Sequence, residues 1–209
     1  MRFQDLDLDK RYTYADYLAW KFEETVELIR GKIFRMSPAP NLYHQEISSN
    51  LLSRLFSFME GKGCKVFHAP FDVRLPVPPG KTSPDKIDTV IQPDISVICD
   101  SGKLDLRGCL GAPDWIIEIL SPGRAKKDTK DKYEVYEIAG VREYWIVYPE
   151  ARNVFVYMLG EQAKFVGQRP FTHEDQISPA TFPELVIDLN QVFPDSKMLE
   201  EHYVEYLRM

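Results

Sequence analysis

Glu118 lies inside PDWIIEILSP, residues 113–122, a run otherwise as apolar as a buried strand. An ionised carboxylate is costly there unless it is paired or binds a cation, and left alone it takes up a proton. Asp94 in QPDISVICD, at the start of the preceding apolar run, is the candidate partner. If the two runs are adjacent strands, both acids reach one rim, and two converging carboxylates suit magnesium or manganese better than zinc. Lys132 in DTKDKYEVYEIAG adds a positive charge. At helical spacing it shares a face with Asp128, Val135, Tyr136 and Ala139, and that partly apolar face should turn inward. A lysine held near the acids could offset negative charge, orient an attacking water or stabilise a pentacovalent phosphate. Acid, acid and lysine around a divalent ion point to phosphodiester hydrolysis.

Each residue also has a plainer reading. Glu118 could belong to a buried ion pair, Asp94 could be a turn residue after Pro93, and Lys132 could be a solvated helix lysine. Arg124, Lys126, Lys127 and Lys130 concentrate positive charge beside the proposed cleft; they are either a solvated helix face or contacts to DNA phosphate that carry no sequence information. The sequence has no helix-turn-helix or zinc-finger pattern.

The elements that must position these residues can be read from periodicity. Thr13 with Asp16 predicts the start of a short helix over YADYLAW. VELI and KIFRM flank Arg30-Gly31 as a hairpin, with Glu27 in its first strand. Ile47, Leu51, Leu52, Leu55, Phe56 and Met59 recur at helical spacing between Asn41 and Gly61. KVFHAPFDVRLP reads as extended, and PVPPGKTSPDK as a loop. DISVIC and WIIEIL are central strands, the second too uniformly apolar for a sheet with one wet face. A helix over 124–139 stops at Gly140, EYWIVY and NVFVYML are two further strands, and a short helix is expected over 198–207. The mixture predicts an α/β or α+β fold.

At 209 residues and 44% hydrophobic content, one domain is expected. A net charge of -6 argues against a general polyanion binder, although a local basic patch still attracts nucleic acid. No apolar run spans a bilayer, so we expect no membrane association and a cytoplasmic location. Cys64, Cys99 and Cys109 form no CxxC pair and read as reduced, structural thiols.

The ordered series VELIRGKIF, His44, QPDISVI, PDWIIEILSP, KDKYEVYEIAGVREYWIVYPE and NVFVYML resembles the Uma-two family of bacterial restriction-endonuclease-like proteins, in the PD-(D/E)XK nuclease superfamily. The resemblance covers roughly residues 12–190. It implies a restriction-endonuclease-like core, a mixed central sheet flanked by helices, with Asp94 and Glu118 binding divalent metal. It adds Glu27 as a third acid, which could otherwise be an exposed hairpin residue facing Lys32, and it marks His44 as a recurrent position without assigning it a role. Two residues after Glu118, where the superfamily pattern has lysine, this chain has Leu120; in the Uma-two relatives the lysine role moves to the following helix, at the position of Lys132.

The expected activity is therefore a magnesium- or manganese-dependent DNA endonuclease. Alternatives are a catalytically silent nucleic-acid- or protein-binding module on the same fold, and a metal hydrolase of another phosphoester. Cutting both strands of a duplex suits a two-fold pair of sites, so a homodimer is expected.

Overall fold

The computed structural model describes residues 3–36, 41–77, 79–80, 82–121 and 125–194, with side chains omitted for 125–129. Helix α1 (Tyr14–Ala19) begins with the expected reciprocal cap between Thr13 and Asp16. Strands β1 (Val26–Ile29) and β2 (Lys32–Arg35) pair around Arg30 and Gly31, whose φ values of 52° and 77° are those of a tight hairpin turn. Helix α2 (Leu42–Met59) is capped by Asn41 and buries Ile47, Leu51, Leu55 and Met59. Strands β3 (Lys65–His68), β4 (Val73–Arg74), β5 (Val90–Ile91) and β6 (Ile95–Ile98) follow, then the hairpin of β7 (Leu104–Asp105) and β8 (Gly108–Leu110). Strand β9 (Trp115–Ile119) leads through helix α3 (Ala125–Ala139) to β10 (Glu143–Tyr148) and β11 (Asn153–Leu159). Four short strands follow, β12 (Phe165–Gly167), β13 (Phe171–Thr172), β14 (Gln176–Ile177) and β15 (Ile187–Asp188), and a 3-10 turn over Leu189–Gln191 comes after them. The helix expected over 198–207 lies outside the described residues.

The expected mixed central sheet is a seven-stranded one, ordered β12-β11-β10-β9-β6-β3 with β13 beside β11. Within it β9 and β10 run parallel, joined by α3, while β6 pairs antiparallel with both β3 and β9. The N-terminal hairpin belongs to a second, six-stranded sheet ordered β2-β1-β5-β4-β8-β7.

All five residues of β9 are buried, as its apolar run predicts. Strand alternation sends Trp115, Ile117 and Ile119 into the cluster that contains Ile47, Leu51 and Leu55 of α2. Ile116 joins Val135 and Tyr136 of α3 on the other face. Glu118 shares the parity of Ile116, so its side chain emerges beneath α3. Each large side chain fully buried in these layers contributes roughly 1.5–3 kcal/mol.

Glu143, at the start of β10, is another buried acid. The Glu143 carboxylate accepts from Trp145 Nε1 (2.7 Å), the backbone N–H groups of Ala180 (3.2 Å) and Thr181 (2.8 Å), and Thr181 Oγ1 (2.7 Å).

The reading of three reduced thiols fails for two of them. Cys64 and Cys99 form a disulfide, with Cα atoms 4.0 Å apart. The reason is register: Lys65 pairs with Ile98 across β3 and β6, which sets the residues just outside that pair opposite one another. Cys109 is free and buried, and burial pushes its thiol pKa up to about 12. No helix among the described residues is long and apolar enough to cross a membrane.

Candidate active site

Pairing of Ile95 with Ile117 puts Asp94 level with Glu118 at the end of the β6–β9 ladder. The Ile119 backbone N–H donates to Asp94 Oδ2 at 2.7 Å, so the strand itself orients that carboxylate. His44, in the first turn of α2, sets Nε2 3.2 Å from Asp94 Oδ1, and its buried Nδ1 has no hydrogen-bond partner. Glu27 comes from the other sheet: its Oε1 accepts the Gln92 backbone N–H at 2.9 Å. It pairs with Phe34 across the hairpin, not with Lys32, and it is buried.

Lys132 joins the two sheets. Its Nζ lies 3.0 Å from Glu118 Oε1 and 3.1 Å from Glu27 Oε1. One helical turn on, the Tyr136 hydroxyl donates to the same Glu118 Oε1 at 2.6 Å. The i, i+4 spacing on α3 thus delivers two donors to one oxygen. Leu120 packs as a partly buried hydrophobic residue against the core on the α3 side.

Burial first, and then the charges of Asp94 and Glu27, push the Glu118 pKa up to about 7, against the pull of Lys132 and Tyr136. Burial works against the Lys132 charge, but Glu118, Glu27 and Asp94 raise its pKa above the ordinary value, so the ammonium stays charged. Burial lowers the His44 pKa, while its hydrogen bond to Asp94 and the charges of Asp94 and Glu118 lift it above the usual value on balance.

Among the described residues no group of three or more His, Cys, Asp or Glu side chains is gathered closely enough to cage an ion. Magnesium asks for less, usually one or two carboxylates with the rest supplied by water and phosphate. The chemistry of the donor set fits a hard cation: Asp94 and Glu27 repel the Glu118 charge in a site that burial already disfavours.

The structure therefore brings Asp94, Glu118, Glu27, Lys132 and His44 together. Lys130 is exposed on α3; Arg124 lies outside the described residues, as do the side chains of Lys126 and Lys127. Sequence reasoning passed over two participants. Tyr136 lies on the helix face it shares with Lys132, where an aromatic residue reads as packing, and that shared face is the available signal. Gln92, two residues before Asp94, fixes Glu27 through its backbone and gave no signal at all.

Glu118→Gln tests the repulsion. A carboxylate whose folded pKa is raised from 4.5 to about 7 contributes stability below its unfolded pKa and loses it as pH climbs through 7. In EDTA at pH 8 the variant should melt several degrees above wild type, from roughly 3 kcal/mol at most and about 2–4 °C per kcal/mol. The gap should close by pH 4.5. A large loss of stability at pH 8 would make Glu118 a structural ion-pair partner of Lys132 instead.

A mixed sheet between two helices, with acids at the ends of adjacent strands, defines a restriction-endonuclease-like fold. A crystal structure from Anabaena variabilis ATCC 29413, described as "a putative nuclease belonging to DUF820", matches it with a TM-score of 0.68 at 23% identity, covering 87% of this chain and 97% of that one. The Uma2 (Uma-two) family, described as "Putative restriction endonuclease", matches residues 14–190, and the chain belongs to that family. No curated protein matches the chain.

Proposed function

We propose that this protein is a divalent-metal-dependent endonuclease that hydrolyses DNA phosphodiester bonds. The observation that carries the reading is the buried Lys132 ammonium clamped between Glu118 and Glu27, at 3.0 and 3.1 Å, in a chain where Leu120 cannot supply that charge. Such an arrangement is costly as mere architecture, because a buried ion pair often contributes less than apolar packing of the same volume.

In this reading Asp94 and Glu118, with Glu27 beside them, hold magnesium or manganese. The bound ion supplies Lewis-acid polarisation of the phosphoryl oxygen and an acidified water. The chain's own groups do the positioning: Ile119 N–H and His44 fix Asp94, Tyr136 fixes Glu118, and Lys132 faces the phosphate charge that grows in the transition state. Arg124, Lys126, Lys127 and Lys130 would contact phosphates flanking the cleavage point. The protein would act in the cytoplasm as a single domain.

The test is incubation with plasmid, linear and single-stranded DNA in magnesium or manganese. Nicking or linearisation that EDTA abolishes is expected. DNA binding without cleavage of any of the three substrates would favour the silent binding module on the same fold.

We further propose that it works as a homodimer, since two sites related by a two-fold axis match the two strands of a duplex. Light scattering at micromolar concentration should give twice the chain mass of 24.3 kDa. A monomer mass would refute the pairing while leaving the chemistry untouched.

A further inference from the structure

The hairpin of β7 and β8 turns at Leu106 and Arg107, and Leu106 is 107% exposed, as open to water as in an extended peptide. The turn beneath it is braced. Asp105 Oδ1 accepts both the Arg107 backbone N–H (2.8 Å) and Nη2 of Arg74 (2.7 Å), a buried arginine whose Nε also donates to the Cys109 carbonyl at 3.2 Å. Gly108 has a φ of 114°, and a Cβ there would sit 2.2 Å from the Asp72 carbonyl oxygen, so only glycine lets β8 lie this close to β4. A stiff support therefore displays one leucine to solvent. Because Arg74 neutralises Asp105, the charge left at the tip is that of Arg107.

Register locates the tip. Leu28 pairs with Val90, which sets Glu27 level with Ile91; Ile91 pairs with Val73, and Val73 with Cys109. Leu106 and Arg107 lie beyond that level, on the side where β5 runs out through Gln92 and Pro93 to Asp94. At about 4.8 Å per strand, β8 and β7 stand roughly 10 and 14 Å from β5. The Asp94 side chain is 19% exposed, more than those of His44, Lys132, Glu118 or Glu27, so it is the most open of these groups.

We propose that the β7–β8 tip is a wedge for duplex DNA, with Leu106 entering the minor groove against the bases and Arg107 on a flanking phosphate. This rests on the nuclease reading above and adds the substrate's form, a duplex gripped through its minor groove. Apolar side chains presented in this way unstack base steps and hold a bent duplex. A protein partner fits less well, since a stable interface needs roughly 800 Å² per side and the tip offers a single exposed apolar residue.

The experiment is a polarisation titration of a duplex of about 30 base pairs at several salt concentrations, in calcium buffer, beside a cleavage assay in magnesium and manganese. Leu106→Ser should weaken duplex binding at least about tenfold, with an unchanged salt slope and an unchanged melting temperature. Arg107→Ala should flatten the slope by about one. Wild-type affinity in Leu106→Ser, a slope that falls with it, or no duplex binding by the wild type would each overturn the wedge. If binding depends on Leu106 as described but no metal supports cleavage, the wedge stands and the nuclease reading falls.

Discussion

Lys132→Ala is expected to cleave DNA at least roughly a hundredfold more slowly than wild type, the scale of losing one electrostatic contact to a transition state. Its affinity for DNA should change little, because the contact matters only as phosphate charge grows. The structure adds a second expectation. Removing Nζ leaves Glu118 and Glu27 facing each other without the cation that now lies 3.0 and 3.1 Å from them. The variant should therefore bind magnesium or manganese at least as tightly as wild type, and its melting temperature should rise more on adding the metal. Lys127→Ala, by contrast, should weaken DNA binding slightly and soften its salt dependence. Cleavage at the wild-type rate by Lys132→Ala would remove the lysine from the chemistry and leave it a structural clamp.

Asp94→Asn should abolish measurable metal binding by calorimetry and cleavage with it. The amide keeps the shape and can still accept the Ile119 N–H that now reaches Oδ2 at 2.7 Å, so the fold should survive. What goes is the negative charge at the most open of the site's carboxylates. Loss of one hard anionic ligand of two or three weakens a magnesium site steeply, since that ion dehydrates reluctantly and relies on charge. Equal binding isotherms for variant and wild type would move the ion elsewhere on the chain.

The sequence made some of this geometry legible because two periodicities met in one place. The apolar run of β9 marked a strand buried on both faces, and a charge inside it had to answer to something; the helical spacing of α3 then identified which lysine could reach it. The same rules are silent about Tyr136, because an aromatic residue on the inward face of a helix reads as core until a hydroxyl is seen 2.6 Å from a carboxylate. The six-stranded sheet was also hidden. Strands β4 and β5 are two residues each, too short for alternation to register, and only their pairing with β1 and β8 makes them strands. Cys64 and Cys99, 35 residues apart, are matched by the register of β3 on β6, a long-range fact that cysteine spacing does not carry.

The Glu143 clip bears on how the chain is completed during synthesis. Its carboxylate sits on β10 with no exposure, and three of its four donors belong to Ala180 and Thr181, 37 and 38 residues further on. Until Ala180 and Thr181 are made, Trp145 Nε1 is the one donor of the four that this carboxylate can have, and a buried acceptor left short of a partner costs about 1–3 kcal/mol. Glu27, Asp94, Glu118 and Lys132 thus all precede, in order of synthesis, the two residues that complete the hydrogen-bond shell of Glu143.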